Sequence, residues 1–505
     1  MKYCKQNGSM LTPILVFKKL DAKILLESAS LHMGKGRFSI IVKDIAFKLV
    51  LEKDSTFLKV DSKSYCLDTL ENLEGIESTH LALLTSILKH KALKLEAKKH
   101  ESDEKKNLLL KEYKGLDFLD YVGLMSCVLK EDSSLKTKEE IAELEALPLP
   151  FGGLGYLGYE FFSQVEEISF TKKGLYEAPT CQFIYGKEYV IFDHLYDEFY
   201  LITTKYSKLS LEDLKALLEK PYTPKTEASV HSEIVSKSNK SWYMSGVEAI
   251  KKEIYKGTFL QCVLSRSISI KSNLNPLSMY ERLRRANPSP YMYYLDLGEL
   301  TIIGASPEVM LKCEGKVLTL RPIAGSAKRG ASLEEDKQNE LDLLADVKES
   351  AEHLMLVDLG RNDLGRVSKE VKMNAFRVIE KYSKIMHIVS EVSGTLREGI
   401  TSKDALKASF PAGTVSGAPK VEAVKFLERI EPHARKIYAG AIGYFKSNDD
   451  LDSAIALRTA VYKDGIYYLQ AGAGIVMDSD PLKEYIETNT KLGALLQALE
   501  VKVED

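Results

Sequence analysis

The sequence predicts an α+β protein in which large antiparallel β-sheets are backed by helices. Strand-like runs follow one another in the second half, at residues 436–445, 451–462 and 466–477. The last two runs are separated by Lys463, Asp464 and Gly465, a tight-turn sequence that joins antiparallel neighbours. Helical segments lie elsewhere instead of following each strand, as they would in a doubly wound sheet.

Length and composition place the chain among globular proteins. Its 505 residues suit two or three domains, at about 150 residues per domain. A formal net charge of −2 gives no basic field for nucleic acid. The six cysteines form no C-x-x-C pair, which is typical of reduced thiols. The chain has no signal-peptide-like start, and its longest uncharged stretch is broken by prolines and glycines. We therefore expect a cytoplasmic protein that does not bind a membrane.

The elements expected in the first half are short strands, such as residues 183–193 and 198–204, alternating with helices. Residues 71–106 become strongly charged and indicate a solvated helix and loop. Residues 221–240 are polar, contain Pro and Ser and have no helical periodicity, which favours a linker or crossover. This linker divides an N-terminal part (1–220) from a C-terminal part (241–505).

Two helices are expected in the C-terminal part. Residues 341–359 have apolar positions at helical spacing, and we expect this helix to end before Gly360. Pro419 precedes a second run of apolar positions at helical spacing, as at many helix starts. In the first half, the glycines at 153, 155 and 158 match G-x-G-x-x-G. Prolines precede them and the strand–turn–helix context is missing, so we expect turn glycines and no dinucleotide site.

Two pairs of glutamates are the first candidates for a functional site. Glu349 and Glu352 are three residues apart in a helical pattern, and Glu484 and Glu487 repeat the spacing, so each pair shares a helix face. Like charges on apolar-backed helices are costly unless a cation lies between them. An all-oxygen set suits Mg²⁺. The pattern alone leaves a second interpretation open, in which the glutamates face solvent on two ordinary helices.

Features that bind anions cluster in the same half. Residues 409–419 form a Gly-rich loop before a helix N-terminus, and residues 471–474 form a small-residue segment that a ligand can approach closely. Alternation in the expected strand places Arg458 between Ala456 and Ala460, which leaves space for a bound carboxylate. An exposed strand arginine is the alternative. Together these features suggest a small substrate with more than one carboxylate, held by Mg²⁺ and arginine.

Five blocks in the second half carry a family resemblance. They are RPIAGS (321–326), AEHLMLVDLGRNDLGRV (351–367), HIVSEVSGTL (387–396), SFPAGTVSGAPK (409–420) and AGAGIVMDSDPLKEYIETNTK (471–491). LLESAS (25–30) and PFGGLGYLGYE (150–160) match more thinly. In order and content these blocks resemble the chorismate-utilising enzymes, and above all the large subunits of anthranilate synthases. The resemblance implies the anthranilate synthase-like fold, in which large antiparallel sheets pack in a sandwich.

The resemblance also implies a reaction. Chorismate is aminated at ring carbon 2 with loss of the carbon-4 hydroxyl, and pyruvate is then eliminated to give anthranilate, the first committed step of tryptophan biosynthesis. Glu308 is implied as the acid that protonates the departing hydroxyl, which requires burial to raise its pKa. His387 is implied to assist the elimination, and Thr414 to lie near the nucleophile.

The remaining site residues are also implied by the resemblance. Glu352 and Glu487 are expected to be direct ligands of Mg²⁺, with Glu349 and Glu484 behind them. The residues expected to hold the substrate are Gly325, Ser326, Tyr438, Arg458, Gly472, Ala473 and Gly474.

Three positions bear on the product. Gln261 stands where the water-using relatives, isochorismate and salicylate synthases, carry a lysine base, and a neutral amide favours ammonia over water. Ala324 replaces the central lysine of the PIKG motif typical of aminodeoxychorismate synthase, which disfavours a 4-amino product. Ser326 stands where threonine is usual, and it keeps the hydroxyl. The alternatives are aminodeoxychorismate synthase and a non-catalytic tryptophan-sensing subunit.

The resemblance also implies an inhibitor site and a partner subunit. LLES and residues 287–294 resemble a tryptophan feedback site, with Glu27 and Ser28 at the amino acid and Pro290, Tyr291 and Met292 lining the pocket. Tryptophan is therefore expected to inhibit competitively with chorismate. None of the cysteines lies in a glutaminase-like G-x-C-x-G sequence. Ammonia is therefore expected from a separate glutamine amidotransferase subunit, in a hetero-oligomer.

Overall fold

A computed structural model describes residues 1–8, 11–28, 36–99, 115–131, 138–224, 229–382 and 385–503. The helices in these residues are α1 (Pro13–Leu20), α2 (Ser78–Lys99), α3 (Phe118–Glu131), α4 (Lys138–Ala146), α5 (Leu211–Glu219), α6 (Lys240–Tyr255), α7 (Pro276–Ala286), α8 (Leu333–Ala345), α9 (Val347–Val367), α10 (Ser402–Ser409), α11 (Lys420–Ile430) and α12 (Pro481–Ala498). Short 3-10 turns cover Tyr159–Gln164 and Gly413–Val415.

The strands in the same residues form two large sheets. They are β1 (Lys2–Asn7), β2 (Ile24–Glu27), β3 (Phe38–Val42), β4 (Ile45–Glu52), β5 (Ser55–Val60), β6 (Lys63–Cys66), β7 (Leu154–Leu157), β8 (Cys181–Gly186), β9 (Glu188–Asp193), β10 (Glu198–Thr203), β11 (Ser232–Lys237), β12 (Gln261–Ser272), β13 (Tyr291–Asp296), β14 (Thr301–Ser306), β15 (Val309–Glu314), β16 (Val317–Leu320), β17 (Ile323–Lys328), β18 (Ser368–Lys381), β19 (Ile385–Leu396), β20 (Gly417–Ala418), β21 (Ala441–Phe445), β22 (Leu451–Ile455), β23 (Thr459–Lys463) and β24 (Ile466–Ile475).

Within the described ranges the strand pairings are antiparallel. The first sheet has the order β1-β10-β9-β3-β2-β13-β14-β23-β24-β12-β11, with β20 beside β12. The second has the order β17-β19-β16-β15-β22-β21-β7-β8-β4-β5-β6, with β18 beside β19. Each sheet takes strands from both the first 220 residues and the rest of the chain. The expected α+β sandwich of antiparallel sheets is confirmed.

Three apolar layers hold the sheets and helices together. The layer between the sheets contains Ile40 and Ile302 from the first and Tyr156 and Ile442 from the second. A second layer packs α1, α5, α7 and α12 on the outer face of the first sheet. A third packs α2, α3, α9 and α10 on the outer face of the second. Apolar side chains on both faces explain why many strands read as continuous hydrophobic runs.

Two predicted strands were wrong because the chain changes sheets within them. The run 451–462 is β22 in the second sheet and β23 in the first, and Arg458 between them has a positive φ of 47°. The alternation that placed Arg458 on a strand face therefore does not apply. Likewise, the run 183–193 is β8 and β9, joined by Lys187. In a β-sandwich the chain passes from one sheet to the other at such bends, and a hydrophobicity pattern does not reveal them.

The predicted helix 341–359 was also wrong at both ends. Asp346 ends α8 and begins α9, where its side chain accepts a hydrogen bond from the Glu349 amide at 2.9 Å. Helix α9 then continues through Gly360 to Val367. Buried residues such as Leu364 anchor its last turns, and this packing outweighs the cost of about 1 kcal/mol for a glycine in a helix.

Other local predictions can be compared directly. The hairpin is confirmed, since β23 and β24 join through Asp464 and Gly465, both with positive φ. The G-x-G-x-x-G glycines flank and occupy buried β7, and a short 3-10 helix, instead of an α-helix, follows Gly158. The expected linker is only partly irregular, because Ser232–Lys237 forms an edge strand on β12. The charged run is helical through Lys99, and its residues 100–106 lie outside the described residues. In the described part of the chain, no helix has the length and apolarity to cross a bilayer.

Candidate active site

Four carboxylates gather where α9 and α12 begin. Glu349 and Glu352 lie on α9, and Glu484 and Glu487 on α12. Burial, together with the charges of Glu349 and Glu487, raises the pKa of Glu352 to about 7. Burial also raises the pKa of Glu349 and of Glu484, with a contribution from Glu487 in both cases. The helical spacing places each predicted pair on one face of its helix, and the mutual charge effects of the two pairs favour a proton or a cation between them.

Gln261 lies beside these four glutamates and contacts Glu352. Its Nε2 donates to Glu352 Oε1 at 3.2 Å, and its buried Oε1 has no hydrogen-bond partner among the residues that the structure describes. A Cβ at Gly474 would lie 2.4 Å from Gln261 Nε2 and 3.2 Å from Glu352 Oε1. A side chain at position 474 would therefore displace Gln261 and crowd Glu352.

Lys491 is a site residue that sequence reasoning missed. Its Nζ donates to the Gly472 carbonyl at 3.0 Å and lies 2.7 Å from Glu487. Its charge also opposes the rise in the pKa of Glu352 and of Glu308. The available signal was its position four residues after Glu487, which places the two side chains together on the helix.

Glu308 lies between β14 and β15 and is buried. Burial raises its pKa to about 8, against the nearby Thr414 hydroxyl and the charges of Lys491 and Arg458. At neutral pH the carboxyl group therefore carries a proton. The backbone is fixed, because the Glu308 carbonyl accepts from the Ile455 amide at 3.0 Å. The expected burial and raised pKa are both present, and Thr414 lies against the acid.

His387 pairs with Ser326 across β19 and β17, next to a bulge at Gly325. Its Nδ1 lies 3.1 Å from the Gly325 carbonyl. Because a carbonyl only accepts, Nδ1 carries the hydrogen and Nε2 keeps its lone pair. Burial and the charge of Arg458 lower the pKa of His387 to about 4, so the ring is neutral. Gly325 has a positive φ of 76°, and a Cβ there would lie 3.1 Å from Glu349 Oε2.

Arg458 lies near Glu308 and His387, and Tyr438 lies near Gly472. Burial lowers the pKa of Arg458, and no carboxylate of the described residues forms an ion pair with it. Its Nη1 donates to Asn287 Oδ1 at 3.4 Å. A Cβ at Gly472 would lie 3.0 Å from the Tyr438 hydroxyl, so glycine again allows close approach. Ala473, between Gly472 and Gly474, is fully buried. A buried cation without an anionic partner favours binding of a carboxylate.

A buried ion pair supports these groups and was not predicted. Glu431 accepts from the Ser265 amide at 2.8 Å and from both Nε and Nη2 of Arg435. Arg435 also donates to the carbonyls of Val415 at 2.7 Å and Val263 at 2.6 Å, and its guanidinium lies 5.8 Å from the Tyr438 ring. One pair thus joins β12, the Thr414 turn and Tyr438.

The residues expected at an inhibitor site do not all face the same way. Glu27 and Met292 are register partners, and Glu27 accepts from Tyr280 at 2.6 Å and from Arg284 at 2.6 Å on α7. Tyr291 instead donates to Asp452 at 2.8 Å, across the sandwich. Adjacent strand residues point to opposite faces, so Tyr291 and Met292 do not present their side chains to one pocket. Ser28 and Pro290 lie at the ends of β2 and β13.

The donor set around Glu352 fits a hard divalent cation. Among the described residues, no three His, Cys, Asp or Glu side chains converge on one point. Mg²⁺ does not need three, because it keeps several waters and commonly takes one or two carboxylates plus an anionic substrate. The raised pKa of Glu352 and the unpartnered Gln261 Oε1 indicate a site that gains from a bound cation.

Comparisons with known proteins agree with this geometry. The family model described as chorismate binding enzyme matches residues 93–497. Anthranilate synthase component 1 of Neisseria meningitidis is 42% identical over 377 residues, or 71% of this chain and 77% of that protein. The Spirochaeta aurantia protein of the same name is 35% identical and covers 98% of this chain and 95% of its own.

A solved structure extends the agreement to the whole fold. Anthranilate synthase component I from Streptococcus pneumoniae aligns with a TM-score of 0.69 and 32% identity, covering 97% of this chain and 98% of that one. The fold and site define a chorismate-utilising enzyme of the lyase class. The chain belongs to the chorismate-binding enzyme family, in the group of anthranilate synthase component I chains. The predicted family and the prediction of an enzyme are confirmed.

Proposed function

We propose that this chain converts chorismate and ammonia to anthranilate, water and pyruvate. The observation that carries the proposal is the pairing of two buried groups at one corner: Glu308, which holds a proton, and Arg458, which has no carboxylate partner. Arg458 is then free to bind a substrate carboxylate while Glu308 supplies the proton for the departing hydroxyl. The similarity to anthranilate synthase component I chains supports the same reaction.

In the first step, ammonia forms a bond to ring carbon 2 as the ring double bonds shift and the carbon-4 oxygen leaves. Glu308 gives its proton to this oxygen, so water departs and the carboxylate remains. The Gln261 amide cannot act as a base, which suits a nucleophile that brings its own lone pair. Thr414 lines the same pocket as Glu308 and lies beside the acid.

In the second step, the bond between ring carbon 3 and the enolpyruvyl oxygen breaks and the ring becomes aromatic. The released enolpyruvate takes up a proton at its methylene carbon, replacing the proton lost from ring carbon 2, and becomes pyruvate. His387 is neutral and its Nε2 is unprotonated, so it can take the proton from ring carbon 2. Tyr438, Arg458 and the backbone at residues 472–474 hold the enolpyruvyl carboxylate, and Gly325 and Ser326 lie at the ring.

We propose Mg²⁺ as the cofactor, held by Glu352 and Glu487 with Glu349 and Glu484 behind them. When bound, the cation would draw charge from the ring carboxylate. It would also relieve the repulsion that raises the pKa of Glu352. The protein's part is to gather the four oxygen donors on two helix ends and to set Lys491 against Glu487.

We propose further that ammonia comes from a separate glutamine amidotransferase subunit, because the relatives are named component 1. Tryptophan is proposed as a feedback inhibitor that binds near Glu27. In the structure the Glu27 carboxylate is paired with Arg284. An incoming ammonium group would have to share or replace this pair.

The decisive experiment incubates the purified chain with chorismate, Mg²⁺ and ammonium at mildly alkaline pH. We expect anthranilate, identified by its fluorescence and mass, with no turnover when glutamine replaces ammonium and reduced turnover when tryptophan is added. A 4-amino product would favour aminodeoxychorismate synthase. Glutamine-dependent turnover by the lone chain would contradict the separate glutaminase, and indifference to tryptophan would contradict the inhibitor site.

A further inference from the structure

The Asn287 side chain lies against the Arg458 guanidinium. Arg458 lies outside regular strand pairing, where the chain passes from β22 to β23, so the strands do not fix its side chain. Its long, rotamer-rich side chain loses about 2 kcal/mol of entropy when it is fixed in one position. The Asn287 side chain is an acceptor for it, at 3.4 Å from Nη1.

The orientation of the Asn287 amide is set by its surroundings. Its Nδ2 lies 3.4 Å from the Ser289 hydroxyl, which in turn donates to the Asn287 carbonyl at 3.2 Å. A guanidinium only donates, so the amide oxygen must face Arg458. Ser289 is buried, with 2% of its surface exposed, and this closes one side of the arrangement.

The backbone of Asn287 is fixed by helix α7. Asn287 follows the last residue of α7, and its amide donates to the Leu283 carbonyl at 2.8 Å. In the preceding turn, Arg284 is bonded to the buried Glu27, and Tyr280 donates to the same carboxylate. The acceptor for Arg458 is therefore carried by a helix end that is itself tied to β2.

We propose that Asn287 is a positioning residue, which holds the Arg458 guanidinium in place for the enolpyruvyl carboxylate of the substrate. Asn287 acts through Arg458, first on carboxylate binding and second on the pKa of Glu308 and of His387, which the charge of Arg458 also lowers. This inference rests on the proposed function, since it concerns the substrate of that site.

The test compares Asn287→Ala, Asn287→Asp and the control Arg285→Ala, an exposed residue in the same helix turn. Asn287→Ala removes one long hydrogen bond to a charged group, so we expect KM for chorismate to rise about threefold to tenfold. We expect kcat to change less than KM. Asn287→Asp has nearly the same shape, but its carboxylate pairs with Arg458 and competes with the substrate, so KM should rise further than in the alanine variant. Arg285→Ala should leave both constants unchanged.

A second measurement is inhibition by pyruvate, which tests carboxylate binding separately from the turnover of chorismate. Pyruvate carries the same carboxylate, so its inhibition constant against chorismate should rise in the same order as KM. If the wild-type chain does not convert chorismate, the proposed function fails. If the wild-type chain converts chorismate but both Asn287 variants keep its KM and pyruvate inhibition, the positioning role is wrong. A merely structural role would lower kcat and the unfolding midpoint in the alanine variant and would spare the nearly isosteric aspartate.

Discussion

Replacing Glu308 by glutamine should remove a pH dependence of stability that originates in the site. The folded chain keeps the Glu308 proton until the pH nears 8, whereas the same side chain ionises near 4.5 when unfolded. Between these values the unfolded state has lost a proton that the folded state retains, so the wild-type protein loses stability as pH rises. Stability is greatest below the unfolded pKa, and the loss is complete once the pH exceeds the folded pKa. Glutamine has no proton to exchange and should remove this contribution.

The size of the effect follows from the two pKa values. A tenfold change in proton affinity corresponds to about 1.4 kcal/mol. The difference between 4.5 and about 8 therefore amounts to about 5 kcal/mol over the whole window. Between about pH 5.5 and about pH 7.5, the wild-type protein should lose roughly 3 kcal/mol relative to Glu308→Gln.

The assay is urea unfolding at these two pH values, followed by the fluorescence of Trp242, the one tryptophan of the chain. The control is Glu233→Gln on an exposed edge strand, which removes one carboxylate from the surface. The reasoning is refuted if the wild-type and Glu308→Gln proteins show the same dependence of stability on pH. Loss of the acid should also lower turnover of chorismate by about 10²- to 10⁴-fold.

Three further predictions concern the metal cluster and the packing around it. Glu352→Gln should stabilise the metal-free chain by removing repulsion between carboxylates. It should also reduce the rise in unfolding temperature that Mg²⁺ produces. An unchanged rise would contradict the role of Glu352 as a ligand. Arg435→Met should cost about 3–5 kcal/mol in urea unfolding by leaving Glu431 charged and buried, and adding Glu431→Gln should recover part of the loss. Gly413→Ala should lose about 1–3 kcal/mol, because its Cβ would lie 1.8 Å from Leu359, whereas Gly493→Ala, with open space, should be neutral or stabilising.

The local parts of this structure were predictable from sequence because they depend on short spacings. The hairpin at Asp464 and Gly465 follows from turn residues that tolerate positive φ. The glutamate pairs follow from the three-residue spacing that places side chains on one helix face. The burial and raised pKa of Glu308 were expected from the resemblance and required by the chemistry, and the structure supplies both.

The parts that sequence did not reveal depend on contacts between distant residues. Arg435 reaches the Val263 carbonyl across 172 positions, and Arg458 reaches Asn287 across 171. No periodicity connects such positions. Asp346 was missed for a different reason, since it ends one helix and begins the next within a single run of apolar residues at helical spacing.

The failures of the strand predictions coincide with the site for a physical reason. Glu308 lies where the chain passes from β14 in the first sheet to β15 in the second, and Arg458 lies where β22 returns to β23. The two crossings run side by side, joined by hydrogen bonds from Ala305 to the Arg458 carbonyl and from Ile455 to the Glu308 carbonyl. At such a corner the backbone leaves the alternation that commits each strand side chain to one face.

A second corner of the same kind tests that explanation within the chain itself. The β3–β4 and β8–β9 crossings are joined by hydrogen bonds from Lys43 to the Glu188 carbonyl and from Lys187 to the Asp44 carbonyl. There Lys43 pairs with Asp44 at 2.6 Å, so that corner neutralises its own charge. At the Glu308 corner the acid is protonated and Arg458 has no carboxylate partner within the described residues. The two corners thus share the same backbone arrangement. The Glu308 corner differs because it places an unpaired cation beside a neutral acid, which suits it to bind an anionic substrate.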